Sequence, residues 1–149
     1  MVGVSTGDYE TSKKTKALTA EETTQLYVGN TASWDTQWGK ANYTWTADGK
    51  VLGILDKKDG KKAVADGTWT VKDNEFCYSV VWKSSKSDKG SDWSPCVSWF
   101  KVGKVIWNKN GSGNGKWTGD VCDCEYRESF SKGDKVSGRM ETVKASLEE

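Results

Sequence analysis

Apolar and polar residues alternate along much of this chain with the two-residue period of a half-buried β-strand. Ala41, Tyr43 and Trp45 carry that alternation in one segment. Phe76, Tyr78, Val80 and Trp82 carry it in a longer one, with Cys77, Ser79 and Val81 on the opposite face. Asp48-Gly49 has the chemistry of a hairpin turn and leads into a strand over 51–55. Further strands are predicted over 67–71, 96–102 and 105–107, separated by the solvated turn 57–62, by Asp73-Asn74, by a polar loop over 83–92 and by Gly103-Lys104. After a Gly-rich loop over 108–115, the pattern predicts two last strands over 120–130 and 135–140, joined at Gly133-Asp134.

One helix precedes the strands. Thr19 can cap it, Glu22 completes a capping box, and Gly29 stands where a left-handed residue would stop it. The resulting helix over 20–28 presents only Leu26 and Tyr27 as an apolar edge, which must lean on something larger. About eight short strands with regular turn signals and hairpin-like connections predict an all-β fold, an antiparallel β-barrel with the helix at one end or flank. A sandwich is the alternative. Residues 1–17 form a flexible N-terminal arm, 18–142 a single β-barrel domain and 143–149 a frayed tail. A chain of 149 residues can bury roughly 68–70% of the surface its unfolded form exposes, enough for one real core.

Composition narrows the function. The chain holds nine tryptophans and no histidine. Without imidazole, Ser-His-Asp and Cys-His catalysis and His-ligated metals drop out together. No cofactor and no metal are expected, and a non-enzymatic binding role leads. Lys+Arg 22 against Asp+Glu 21 leaves a net charge of +1, without the basic excess of a nucleic-acid binder. No apolar stretch approaches the ~20 residues of a membrane-spanning helix. Met1-Val2-Gly3-Val4 runs straight into polar residues without a visible signal peptide, a start that fits either a cytosolic or a mature exported protein.

The cysteines favour export. Cys77, Cys96, Cys122 and Cys124 are even in number and lack the paired spacing of a zinc ribbon. Cys77 and Cys96 flank one hairpin and bridge if opposed at a non-hydrogen-bonded position; two buried thiols are the other arrangement. Cys122 and Cys124 share one strand face about 6.5–7 Å apart, at the limit for a direct bridge, so their pairing stays open. A strained redox pair and a soft-metal site of all four sulfurs are the sharper alternatives.

Trp45, Trp69, Trp82, Trp99 and Trp107 fall inside strands, where core packing explains them. Trp34, Trp38, Trp93 and Trp117 lie beside turns or polar loops. There an indole either contacts a ligand or plugs a barrel end, and these four are the candidate ligand-binding residues. None of the 21 acids is singled out by its neighbours for carboxylate catalysis.

The succession Leu-Tyr-Val-Gly-Asn-Thr (26–31), Ala-Asp-Gly (47–49), Gly-Thr-Trp-Thr-Val (67–71), Phe-Cys-Tyr (76–78) and Cys96 before Gly103 resembles a group of small exported bacterial proteins forming a lipocalin-like domain family of unknown function. The resemblance covers roughly residues 18–107. It implies a lipocalin-like barrel, periplasmic or secreted placement and the Cys77–Cys96 pair, and it implies no activity. The leading expectation is an exported β-barrel that binds a small molecule, a glycan or an envelope protein. The alternatives are a carboxylate-based hydrolase and a protein-interaction or inhibitor domain.

Overall fold

The structure, a computed structural model, describes residues 14–103, 105–110 and 130–148. The chain begins with β1 (Lys16–Ala17) and α1 (Ala20–Tyr27), followed by β2 (Asn30–Asp35), β3 (Gly39–Trp45), β4 (Lys50–Lys57) and β5 (Lys62–Lys72). Then come β6 (Glu75–Lys83), β7 (Ser91–Trp93), β8 (Cys96–Val102), β9 (Val105–Asn110), β10 (Phe130–Lys132) and α2 (Ser137–Ser146). The strands make one antiparallel sheet in the order β1-β8-β6-β5-β4-β3-β2-β10, with β7 added to β6 and β9 to β8. Lys16 and Ala17, the end of the expected loose arm, pair with Lys101 and Phe100.

Helix α1 forms as its sequence dictates. Thr19 Oγ1 accepts from the Glu22 N–H at 3.1 Å, and Glu22 Oε1 accepts from the Thr19 N–H at 3.0 Å. Gly29, at φ 83°, ends it. The helix leans on the sheet through Tyr27, which is fully buried. The Tyr27 ring stacks on Phe76 of β6 at 3.7 Å and meets Trp45 of β3 edge-on at 4.9 Å. It also reaches Trp99 of β8 at 6.2 Å and Phe130 of β10 at 5.3 Å, two strands from opposite ends of the sheet. One side chain therefore gathers both ends, which requires a strongly curled sheet. Gly67 helps: a Cβ there would lie 1.8 Å from the Ser79 carbonyl oxygen, so bare backbone lets β5 press close to β6.

Among the described residues the curled sheet is not closed, and the expected lipocalin-like barrel is corrected to an open antiparallel sheet. Among the described residues no ladder joins β10, at one end of the order, to β1 or β9 at the other. Alternation decides which face of a strand is buried, but closure needs matched tilt and stagger around the whole ring, which alternation does not encode. The strand expected over 120–130 lies outside the described residues except at Phe130.

The C-terminal expectation is corrected as well. Residues 135–140, expected as a strand, enter α2, and the expected frayed tail from 143 continues that helix to Ser146. Val136, Met140 and Val143 are buried with Ile54 and Val64 on the outer face of β4 and β5, and Leu147 packs beside them. The spacing 136, 140, 143, 147 is that of a helix face. Asp134 starts the helix by accepting the Val136 and Ser137 N–H groups, both at 2.9 Å.

Candidate functional site, an aromatic cavity

Along β3 and β6 the inward side chains pass from the partners of Tyr27, Trp45 and Phe76, to Tyr43 and Tyr78, and then to Ala41 and Trp82. Beyond the tyrosines the interior opens into a cavity of about 780 Å³. Sheet register explains the void. One row of paired positions reads Trp34, Ala41, Leu55, Ala63, and its two alanines leave space between the larger side chains. The neighbouring row reads Tyr43, Gly53, Ala65, Trp82. There the small central pair lets the Trp82 indole lie across the sheet to meet the Tyr43 ring edge-on at 5.6 Å. A Cβ at Gly53 would stand 3.1 Å from the Trp82 ring.

Trp34, Trp38 and Trp93, three of the residues singled out in the sequence, all line this cavity. Trp34 meets Tyr43 edge-on at 5.3 Å. Trp34 and Trp93 sit near the ends of β2 and β7, beside the non-strand residues 36–38 and 94–95, and the loop expected over 83–92 is corrected at 91–92, which belong to β7. Short strands at a sheet edge, flanked by polar residues, look like loops to a periodicity argument. Trp38 does occupy a turn, held by Thr36, and is 61% exposed at the mouth. Trp117, Cys122 and Cys124 lie outside the described residues.

The sequence reading missed Trp82, Tyr43 and Tyr78. Alternation had assigned Trp82 and Tyr78 to the core face, and a core face and a cavity wall have the same period. The small residues between the aromatics, Gly53 with Ala41, Ala63 and Ala65, were the available signal.

Polar groups are few and sorted by depth. Tyr43 and Tyr78 are buried, their rings 5.6 Å apart. Burial pushes the Tyr43 hydroxyl up from its ordinary pKa, with the hydrogen bond from the Trp82 indole partly offsetting it. Tyr78 is likewise pushed up by burial, then by the neighbouring tyrosines, against a hydrogen bond from Trp93. Both hydroxyls stay protonated across the physiological range. Asp35, Ser84, Ser91 and Asp92 are exposed at the rim, and Lys57 Nζ there donates to Ser84 Oγ at 3.1 Å.

Cys77 and Cys96 are disulfide-bonded, as expected, at opposed positions of β6 and β8 with Cα atoms 4.1 Å apart. Strand β7 intervenes between them in sequence, so they do not flank a simple hairpin. The bridge and the adjacent Tyr78 N–H to Pro95 carbonyl bond (3.1 Å) fasten the segment after Trp93 to the strand that carries Tyr78 and Trp82. A Glu75 oxygen lies within 4.8 Å of both sulfurs, but disulfide sulfurs are not thiolates and do not bind metal as such. No helix among the described residues is long and apolar enough to cross a membrane.

No curated protein and no solved structure matches the chain. Residues 1–130 match the family described as protein of unknown function (DUF995). The match runs past the 18–107 of the sequence resemblance, takes in Cys122 and Cys124, and ends before α2. With most of its length matched, the chain belongs to DUF995, a family of proteins of unknown function.

Proposed function

We propose that this protein is an exported, non-enzymatic binding protein that holds a small molecule in its aromatic cavity. The observation that carries the reading is the convergence of Trp34, Trp38 and Trp93 with Trp82, Tyr43 and Tyr78 on one space of about 780 Å³. Small-molecule pockets span about 300–1,000 Å³, mostly apolar with a few placed polar groups, and this cavity fits that description. The Cys77–Cys96 disulfide supports an oxidising compartment, periplasmic or extracellular.

Titration of tryptophan fluorescence with lipids, glycans and cell-envelope fragments tests the proposal. A saturable change with one class is expected, lost in a Trp82→Ala variant that still melts cooperatively. Silence with every class would contradict it.

A second reading, a carboxylate-based hydrolase, is favoured by one observation: Asp35 and Asp92 share the rim. Hydrolysis of a glycoside panel that vanishes in both Asp35→Asn and Asp92→Asn would replace the binding reading with this one.

A further inference from the structure

Resting on the reading of the cavity as a ligand site, we infer that it selects an uncharged ligand with an apolar ring and a carbonyl or ether oxygen, which accepts hydrogen bonds from the Tyr43 and Tyr78 hydroxyls. Among the described residues the deep lining carries no charged side chain; Asp35, Lys57 and Asp92 all stand at the rim. A charge carried to the bottom would lose its hydration without an ionic partner, which is costly. What the bottom does offer is two phenolic hydroxyls. Both tyrosines are buried and line the cavity, with the Trp82 indole edge-on to the Tyr43 ring at 5.6 Å. A phenol carries its own O–H as a donor. Two donors 5.6 Å apart by ring centres, framed by indoles, ask for an acceptor oxygen on a ring that can lie against those indoles.

The same inventory argues against a sugar at the bottom. Every sugar hydroxyl needs partners, and a buried unpaired one costs more than its stacking returns. Among the described residues the remaining hydroxyls near the cavity are engaged or exposed: Thr36 Oγ1 donates to the Gly39 carbonyl at 2.7 Å, and Ser84 accepts from Lys57.

The test compares 2-acetylnaphthalene, 2-ethylnaphthalene, 2-naphthoate and cellobiose by calorimetry, on the wild-type protein and on Tyr43→Phe and Tyr78→Phe. The ketone should bind at least tenfold more tightly than the carboxylate and more tightly than cellobiose. Each Tyr→Phe change should weaken the ketone about three- to tenfold, the worth of one neutral hydrogen bond, and leave the ethyl compound unchanged. Melting temperatures of the variants verify folding. Equal binding of ketone and ethyl compound, indifferent to both Tyr→Phe changes, would overturn the donor assignment while leaving the ligand site standing. Tighter binding of cellobiose or naphthoate would overturn it too. No binding of any compound would overturn the ligand site itself.

Discussion

At the residue scale, the tryptophans divide by what their indoles do. Trp99 is fully buried and donates to the Tyr27 hydroxyl at 3.0 Å, and the half-buried Trp69 donates to the Thr46 carbonyl at 2.8 Å. These are core residues whose polar edge is satisfied by the fold. Trp38 has its ring mostly in water at the cavity mouth. Truncation separates the two kinds. Trp99→Ala should cost about 3–5 kcal/mol of stability, the usual loss for a large buried aromatic. Trp38→Ala should change stability by less than about 0.5 kcal/mol, as an exposed side chain does, while weakening any ligand that crosses the mouth. Chemical denaturation of both variants checks this, and a large loss at Trp38 would mean that it plugs the sheet end. The sequence distinguished these residues by neighbourhood alone. It placed Trp34, Trp38 and Trp93 in one functional group but put Trp82 with the core, because nothing in a period-two pattern reports whether the space in front of a side chain is filled.

At the element scale, α1 was legible because its signals are local: a capping box at one end and a glycine at the other. The strands β3, β4 and β6 were legible because their inward faces alternate with polar residues. Helix α2 was not. Val136 and Met140 flank Gly138 with the even spacing of a strand, and only the continuation to Val143 and Leu147 turns the pattern helical. Its docking combines an apolar stripe with ion pairs. Asp56 accepts from Lys62 at 2.6 Å and from Arg139 at 3.2 Å, which ties the helix to β4. Partial burial pushes the Asp56 carboxyl up, but Lys62 and Arg139 outweigh it and hold it below its ordinary pKa. A carboxylate lowered by folding contributes stability fully above the ordinary carboxylate value of about 3.9, and that contribution is lost as pH falls through the lowered value. The melting temperature should therefore drop below about pH 4, and less steeply in Asp56→Asn. Parallel pH profiles for the two proteins would show that these partly exposed pairs contribute nothing.

At the scale of the whole molecule, the curvature of the described sheet is the feature that matters. Tyr27 draws β8 and β10 together around α1, and the Cys77–Cys96 bridge pins the cavity wall. The antiparallel all-β class followed from the sequence because it rests on short-range patterns. Closure did not follow, because it depends on how every strand is staggered against the next. The cavity is a product of that curl: the same inward rows on a flat sheet would enclose nothing. The central claim is that this space receives a ligand. The most direct measurement follows each tryptophan indole N–H by NMR while 2-acetylnaphthalene is added to the intact, oxidised protein. Saturable shifts of the Trp34, Trp82 and Trp93 signals, with Trp69 and Trp99 unmoved, are the predicted result. Shifts confined to Trp69 and Trp99, or no shift at any indole, would contradict it.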